Sequence, residues 1–554
     1  METLSFKPQR QSTSAPGSRL LGRCRSISGR WRRRQKYTTL QQCRCQSQQD
    51  SSMERARHHP DEADSRLSRS TGIFHPSIWR DFFLGYSNPD NSFQQLQQAW
   101  MDRADKLKGE VAQMIVASST TGDLHGRLLL VDVLERLCLD HLFEEEINAE
   151  LAQIEAADVR DCDLGTVALW FYLLFTRRHL EMILPFVEGL LAREIQSTLE
   201  IPLPRRVRIY ESKYYISTYE KDATLHDKVL QLAKLNSDIM QLHHQQELSI
   251  LTRWWEDIKM ESMIPFARDR IVECFLWILG VYFEPCHSRA RIILTMIIAI
   301  VTLLDDIYDS YGSPEECDIL TNCIERWDPK AAYDLPECMR IALGKILDSY
   351  EAIENMLHQE EKHRILYLRY FTEDLVRSFN MEVKMLQEGY IPESVEEHLK
   401  VSLRTGGCPI LSCASFVGMH DIATTDFFNW VSSVPKMVQA LSIILRLVDD
   451  LQSYEREQLI PHVALTIDSY MKEHNVSIEM AREKILILKE ESWKDFNSEW
   501  LNPNNVYPKQ LLERIFNLTR TMEFMYNQED NFTNCTNLKD TIHSLFVEAY
   551  AKLI

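Results

Sequence analysis

The segment ILTMIIAIVTLLDDIYDSYGSPEE, residues 293–316, is an almost wholly apolar run that ends in a cluster of acids. The run from Ile292 to Leu304 is 13 residues long and lies between Arg291 and Asp305. It is shorter than the roughly 18 residues that a membrane-spanning helix needs. The segment therefore predicts a helix buried in a protein core, and we expect no transmembrane segment.

The acids at the end of this run predict a metal site. Asp305 and Asp309 are one helical turn apart and offset by about 40° around the axis, so their carboxylates face the same way, with Asp306 beside them. Two like charges at this spacing repel each other unless a cation lies between them. Oxygen ligands on a helix suit Mg²⁺, which keeps several waters and shares its coordination shell with substrate phosphates. The alternative is a solvated helix end whose acids only repel.

A second acidic segment, LRLVDDLQSYEREQ at residues 445–458, predicts a second metal position. Asp449, Ser453 and Glu457 recur every four residues, so two carboxylates and a hydroxyl lie on one face of a helix that begins in a largely apolar run. The alternative is a charged surface stripe with Arg456 as its neighbour. That alternative accounts for this segment alone, but it explains poorly why the chain has two such motifs.

Arginines near both motifs supply permanent positive charge. Arg268 and Arg270 lie in PFARDRIVECFLW, residues 265–277, and Arg446 lies one helical turn before Asp450. Planar guanidinium groups match the oxygens of a diphosphate, although each arginine alone is more often part of a surface salt bridge. Together with the two acidic motifs, these arginines predict a diphosphate-binding site.

The rest of the chain predicts an all-α fold. Only 17 glycines and 19 prolines occur in 554 residues, leucine and isoleucine recur at spacings of three and four, and the alternation typical of strands is absent. Pro202 and Pro204 interrupt this pattern and indicate the approach to a domain boundary. No repeat of roughly 20 to 50 residues occurs, which argues against a helical solenoid.

Charge is distributed unevenly along the chain. The net charge is −19, yet residues 1–50 hold eleven basic residues against two acids, a local charge of +9. The acidic body argues against nucleic acid as a partner. Residues 1–68 have the composition of an organelle transit peptide, or they are a disordered leader, of which a start at Met53 would leave only a short polar lead. Thirteen cysteines without zinc-type spacing indicate a reducing compartment and mostly buried thiols.

From about residue 69 to its C-terminus, the chain resembles the plant class I terpene synthases. DDIYD, residues 305–309, is similar to the aspartate-rich motif of that family, and DDLQSYERE, residues 449–457, is similar to its second metal motif. RDR, residues 268–270, resembles the element that guards the released diphosphate. Each element alone is unspecific, but the combination is very specific.

The resemblance implies roles for individual residues. Mg²⁺, or alternatively Mn²⁺, would be held by Asp305, Asp306, Asp309, Asp449, Ser453 and Glu457. Diphosphate would be bound by Arg268, Arg270 and Arg446, with Asp305, Asp309 and Asp449 acting through the metal. Trp277 matches an aromatic residue that lines the family's pocket, where its ring can stabilise a cation. The segment Thr405–Gly407 resembles the family's helix break beside that pocket.

The implied reaction is metal-triggered ionisation of an allylic prenyl diphosphate, followed by cyclisation or rearrangement of the carbocation. The segment STGIFHPSIWRDFFLGY, residues 70–86, resembles sesquiterpene synthases and favours farnesyl diphosphate as the substrate. Geranyl diphosphate is the alternative, and it is favoured if the leader is a real plastid transit peptide. We expect a monomer in the cytoplasm, with the plastid as the alternative.

The resemblance also implies a domain organisation, with departures from the family pattern. We expect a leader at residues 1–68, an N-terminal helical domain at 69–235 and a catalytic helical bundle at 236–554. After His179 the chain runs straight into LEMILPF, where the family has further helices, so the N-terminal domain is shortened. Phe532 stands where the family favours tyrosine. The competing hypothesis is therefore a decayed synthase that serves as a non-catalytic helical binding protein.

Overall fold

The computed structural model describes residues 77–550 apart from 88–90, 121–122, 156, 158, 160–161, 179–201, 223–224, 260–263, 265 and 460. All described residues lie in one compact unit, residues 60–554. Within the described part every regular element is helical and no strand occurs, which confirms the all-α prediction. The leader at residues 1–68 and the junction after His179 lie outside the described residues.

The N-terminal part of the described chain contains six α-helices. These are α1 (Asn91–Ser118), α2 (Leu124–Arg136), α3 (Glu144–Glu155), α4 (Leu164–Arg178), α5 (Arg208–Tyr219) and α6 (Asp227–Lys259). A single 3₁₀ turn, Leu203–Arg205, follows Pro202 and precedes α5, so the two prolines do mark a break in the helical pattern. Apolar faces of these helices meet in one hydrophobic core.

The C-terminal part adds thirteen α-helices in the described range. These are α7 (Ile271–Leu279), α8 (Ser288–Asp305), α9 (Pro314–Arg326), α10 (Glu337–Met356), α11 (Ile365–Glu388), α12 (Val395–Thr405), α13 (Cys408–Val417), α14 (Thr425–Ser432), α15 (Lys436–Glu457), α16 (Thr466–His474), α17 (Ile478–Trp500), α18 (Lys509–Met525) and α19 (Lys539–Phe546). Helices α8 and α15 carry the two acidic motifs, and α13 packs against both of them. This arrangement brings the motifs to one region of the bundle.

Two hydrophobic cores share helix α6. Its N-terminal half places Leu230 and Leu235 in the core of the N-terminal helices, and its C-terminal half places Leu248 and Trp255 in the larger core of the C-terminal bundle. The boundary expected between residues 235 and 236 therefore falls within a continuous helix of 33 residues. The division into two domains stays a prediction.

The apolar run around residues 292–304 forms a core helix, as its length predicts. Most side chains of α8 are buried, including the guanidinium of Arg291, which pairs with Glu247 inside the bundle. Beyond Asp305 the chain continues as a π-helical turn, Asp306–Tyr311, in which each hydrogen bond spans five residues. The acids of the first motif therefore lie on a widened turn at the end of a rigid helix.

The predicted helix break at Thr405–Gly407 is confirmed. Helix α12 ends at Thr405 and α13 begins at Cys408, with Gly407 in the left-handed region at a φ of +72°. A Cβ on Gly406 would lie 3.2 Å from Leu445 Cδ2 on the helix of the second motif. The backbone conformation therefore favours glycine at residue 407, and the close approach of Leu445 leaves little room for a larger side chain at residue 406.

The cysteines agree with the prediction of mostly buried thiols. Every cysteine in the described part is a free thiol, and most are buried.

No single described helix is both long and apolar enough to cross a membrane. The bent pair of α14 and α15 meets that test only when the two helices are taken together.

Candidate active site

The first acidic motif lies against Arg268. Its Nη2 donates to Asp305 Oδ2 over 2.5 Å, its Nε lies 2.6 Å from Asp306 Oδ1, and its backbone N–H donates to Asp306 Oδ2 over 2.8 Å. Asp306 is only 2% exposed, and burial raises its pKa to about 6 although Arg268 opposes the shift. Asp306 thus faces the arginine, whereas Asp305 and Asp309 reach solvent.

The second motif repeats this arrangement around Arg446. Its Nη2 donates to Asp449 Oδ2, and its Nε lies 2.7 Å from Asp450 Oδ1. Asp449 is partly exposed and Asp450 is fully buried. In both motifs one arginine therefore lies between an accessible acid and a buried acid.

The other two predicted ligands of the second motif lie farther along α15. Ser453 is buried one turn after Asp449, and Glu457 is the last residue of the helix. Arg456 Nη2 lies 2.9 Å from Glu457 Oε1, while its Nη1 lies 3.0 Å from Asp530 Oδ2 in the loop after α18. Arg456 therefore ties the end of the second motif to that loop.

Electrostatic interactions show that the two motifs converge on one site. Burial, with the charges of Asp305 and Glu457, raises the pKa of Asp309 to about 7, although the two motifs are far apart in sequence. Asp309 is nevertheless exposed to solvent, so it lies at the surface and not in the packed interior. Burial also raises the pKa of Asp449 to about 7, against the effect of Arg446. Arg268 and Arg446 each pair with two aspartates, so the carboxylates of the two motifs outnumber these two positive charges.

The residues present fit a hard divalent cation by their chemistry. The donors are carboxylate and hydroxyl oxygens, and burial, with neighbouring carboxylates adding to it, raises the pKa values of Asp309 and Asp449, which a cation would lower again. Among the described residues, no three His, Cys, Asp or Glu side chains already lie close enough to hold one ion. Because Arg268 and Arg446 contact the same carboxylates, a bound ion would have to share oxygens with them or displace them.

Glu382 was not singled out by the sequence, yet it lies at this site. It is on α11, and Thr405 Oγ1 at the end of α12 donates to its Oε1 over 2.8 Å. Burial raises its pKa to about 8, and the charges of Asp305 and Asp309 contribute to the shift. No motif surrounds Glu382, so only its position as an acid on an amphipathic helix could have drawn attention to it.

Tyr526 is a second residue that sequence reasoning missed. It directly follows α18, and its ring lies 6.0 Å from that of Trp277. Its pKa is raised well above the usual value by burial and by the charges of Asp449 and Asp530. Tyr526 therefore connects the second motif to the aromatic side chains that follow RDR.

Arg270 and Trp277, which were expected to bind diphosphate and to line the pocket, are both buried against the loop after α18. Arg270 is 2% exposed, and its Nε and Nη2 donate to the backbone carbonyls of Phe532 and Thr533 over 3.1 and 3.2 Å. Trp277 is buried, and its ring lies 5.3 Å from that of Phe532. Direct binding of diphosphate by Arg270 stays a prediction, because in this structure its guanidinium holds the loop after α18.

A cavity of about 1040 Å³ lies elsewhere in the fold. It is lined by both charges, among them Asp132, Arg208, Glu513, Arg514 and Arg520, and it shares no residue with either acidic motif. With acids and bases both lining its wall, the cavity has no clear preference for an anion. The cavity is therefore separate from the two acidic motifs.

The chain is similar to known proteins along most of its length. The family described as "Terpene synthase family, metal binding domain" matches residues 256–495, and "Terpene synthase, N-terminal domain" matches residues 78–180. An α-terpineol synthase, described as chloroplastic, from Zea mays is 49% identical over 541 residues, covering 87% of this chain and 86% of the relative. The chain belongs to the terpene synthase family. An α-humulene synthase from Zingiber zerumbet is 37% identical and covers 87% of this chain and 97% of that protein.

Solved structures of terpene synthases share the fold. A limonene synthase with 2-fluorolinalyl diphosphate has a TM-score of 0.78 at 25% identity, covering 87% of this chain and all of that chain. Isoprene synthase from grey poplar, in complex with three Mg²⁺ ions and dimethylallyl-S-thiolodiphosphate, has a TM-score of 0.74 at 24% identity, covering 82% of this chain and 98% of that chain. These matches confirm the class I terpene synthase fold. Terpene synthases are lyases that act on prenyl diphosphates, so the chain is an enzyme of that class.

Glu273, just after RDR, gives a prediction about stability. It is fully buried on α7 with no well-aligned hydrogen-bond donor on either carboxyl oxygen, and burial raises its pKa from 4.5 to about 7. The unfolded chain loses this proton at a lower pH than the folded chain does. The contribution of Glu273 to the free energy of unfolding is therefore fully present below pH 4.5 and is lost as the pH rises to about 7. Glu273→Gln should therefore be more stable than the wild type at pH 8, by roughly 3 kcal/mol at most.

Thermal unfolding at two pH values tests this prediction. The advantage of Glu273→Gln in Tm should be much smaller near pH 4.5, where the wild-type carboxyl is protonated in the folded state and half protonated in the unfolded state. A difference in Tm that is equal at pH 4.5 and pH 8 would show that Glu273 does not titrate in this way.

Proposed function

We propose that this terpene synthase uses Mg²⁺ to ionise an allylic prenyl diphosphate and guides the resulting carbocation to a cyclic or rearranged hydrocarbon. The observation that supports this is the convergence of two acidic motifs, each with its own arginine, on one wet surface. The proposed ligands are those expected from the sequence: Asp305, Asp306, Asp309, Asp449, Ser453 and Glu457. The Mg²⁺ ions of the isoprene synthase complex support this choice of metal.

The residues of the chain would bind and orient the diphosphate. When bound, Mg²⁺ supplies a Lewis acid that neutralises the departing anion. Arg268 and Arg446 flank the site and present planar donors to diphosphate oxygens. Both arginines have a pKa raised by neighbouring aspartates against the effect of burial, so they remain charged throughout the reaction.

The aromatic side chains near the arginines would stabilise the hydrocarbon cation. Trp277 contacts Tyr526 and Phe532 with ring-centre distances of 6.0 and 5.3 Å. Aromatic faces attract a cation most strongly when water is excluded. Arg270 would contribute by holding the loop that carries Phe532, in addition to its proposed contact with diphosphate.

Farnesyl diphosphate, giving sesquiterpenes, is the proposed substrate. The proposal rests on the segment at residues 70–86 and is supported by relatives such as the α-humulene synthase. A specific observation favours geranyl diphosphate as the second candidate: the α-terpineol synthase, which makes a monoterpene alcohol, is 49% identical to this chain. With farnesyl diphosphate as the substrate, we propose that the enzyme is a monomer in the cytoplasm. With geranyl diphosphate as the substrate, it would be imported into a plastid.

The purified enzyme with Mg²⁺ and each diphosphate separates these candidates. We expect kcat/KM to be higher for farnesyl than for geranyl diphosphate by roughly tenfold, because the pocket would be shaped to the longer chain. Volatile products are identified by gas chromatography, and reactions with excess EDTA are the control. Higher kcat/KM on geranyl diphosphate would replace the first candidate with the second. If neither substrate gave a product, the result would favour the non-catalytic alternative.

The shortened N-terminal domain bears on that alternative. The N-terminal family match ends at residue 180, next to the expected deletion after His179. We propose that helices are missing there and that the loss affects stability more than chemistry, because every proposed ligand lies after residue 260.

A further inference from the structure

We propose that Asp450, the second acid of DDLQSYERE, is a positioning residue that fixes the guanidinium of Arg446 in the orientation needed to bind diphosphate. The inference rests on the proposed function, because it assigns Arg446 to the diphosphate. Asp450 was not among the predicted ligands, and it is adjacent in sequence to Asp449, which was. Neighbouring residues on a helix point in directions about 100° apart, and here Asp449 reaches solvent whereas Asp450 points into the bundle.

Asp450 is buried where several helices meet. Its side chain is fully inaccessible, whereas the Asp449 side chain is 22% exposed. The backbone N–H of Thr466, the first residue of α16, donates to Asp450 Oδ2 over 2.6 Å. The carboxylate therefore accepts from the N-terminus of a helix, where a negative charge is favoured.

A histidine completes the surroundings of this carboxylate. His398 Nε2 on α12 lies 3.7 Å from Asp450 Oδ2. Groups on three helices therefore surround Asp450, namely α12, its own helix α15 and α16, and α12 is the helix that ends at the Thr405–Gly407 break.

The anion fixes one end of the Arg446 guanidinium. Arg446 Nε lies 2.7 Å from Asp450 Oδ1, an ion pair without the alignment of a hydrogen bond, while Nη2 donates to Asp449. A planar guanidinium held at Nε can turn very little, so its outer nitrogens stay directed towards the accessible acid. Without Asp450, the attraction of Asp449 and Glu382 would decide where the guanidinium lies.

That loss would affect two partners of the diphosphate together. Arg446 would pair more closely with Asp449, a proposed metal ligand, and its outer nitrogens would no longer be set for a diphosphate oxygen. The expected result is weaker binding of the metal and of the anion, although Asp450 touches neither. Supporting residues of this kind typically account for about 10- to 100-fold in affinity or activity.

The main test uses Asp450→Asn, which keeps the size of the side chain and an acceptor for the Thr466 N–H. The probe is inorganic diphosphate with MgCl₂, measured by titration calorimetry on the full-length protein. We expect Kd to rise about 10- to 100-fold relative to the wild type. KM for the prenyl diphosphate should rise with Kd.

A double-mutant cycle with Arg446→Gln separates positioning from a general structural effect. If Asp450 acts through Arg446, then adding Asp450→Asn to the Arg446→Gln background should change Kd by less than about twofold. The same fold-change in both backgrounds would overturn the inference, and so would an unchanged Kd in the Asp450→Asn variant.

Glu247→Gln is the matched control. Glu247 on α6 forms a buried ion pair with Arg291, with Nε and Oε2 2.6 Å apart, and Arg291 lies near the start of α8, at the opposite end of that helix from Asp305. This variant should lower Tm without changing Kd for diphosphate. A rise in Kd equal to that of Asp450→Asn would mean that any buried ion pair has this effect, which would overturn the inference.

His398→Gln keeps the inference testable if Asp450→Asn does not fold. It removes the outer contact of Asp450 and should raise Kd a few-fold in the wild-type background and not in the Arg446→Gln background. Equal changes in both backgrounds would overturn the inference. Failure of the proposed function looks different, because the wild-type protein itself would then neither bind diphosphate with MgCl₂ nor turn over a prenyl diphosphate.

Discussion

Asp305→Ala and Asp309→Ala should each reduce kcat by roughly 10³-fold. The accessible carboxylates of the first motif are the proposed ligands of the ion that assists departure of the diphosphate. Loss of a ligand misplaces that ion, and each 1.36 kcal/mol of lost transition-state stabilisation lowers the rate about tenfold. The measurement is product formation at saturating Mg²⁺ and saturating prenyl diphosphate.

Glu315→Ala is the matched control for these two variants. Glu315 is an exposed acid in the first turn of α9, only a few residues after the motif, so its removal changes the net charge by the same amount. Its rate should stay close to that of the wild type. Near-normal rates for Asp305→Ala or Asp309→Ala would refute the assignment of the first motif.

Arg268→Gln should reduce kcat/KM by about 10²-fold and also lower Tm. The catalytic loss follows from the missing cation beside the diphosphate, an electrostatic effect of typical size for a preorganised donor. The stability loss follows from Asp306, which would remain buried without its partner. Steady-state kinetics and thermal unfolding measure the two effects separately.

Arg377→Gln serves as the control for Arg268→Gln. Arg377 is 45% exposed and pairs with Glu325 and Glu373 on the surface, where such pairs contribute little. Both kcat/KM and Tm should remain near the wild-type values. If Arg268→Gln behaved like Arg377→Gln, the ion pairs around Asp306 would be unimportant for both function and folding.

The parts of this site that depend on residues close together in the sequence could be predicted from it. The apolar run before Asp305 specifies a core helix by itself, and the spacing of Asp449, Ser453 and Glu457 specifies one face of a helix. The glycines after Thr405 specify a break because few other residues adopt that backbone conformation. Each of these predictions needs only local geometry.

The contacts that organise the site could not be predicted in the same way. Arg270 meets the carbonyl of Phe532 across 262 residues, and His398 approaches Asp450 from a different helix. The π-helical turn at Asp306–Tyr311 has no distinctive composition, so a helix of ordinary pitch was the natural expectation. Tertiary packing selects such features, and a single sequence carries no local signal of them.

Helix α6 has a consequence for how the protein unfolds. Because one uninterrupted helix contributes side chains to both hydrophobic cores, fraying in either core removes packing from the helix that supports the other. Melting of the described part should therefore be strongly cooperative, without a stable half-folded species. A chain cut at residue 236 would begin in mid-helix, and its catalytic bundle would lose the support of the turns before that point.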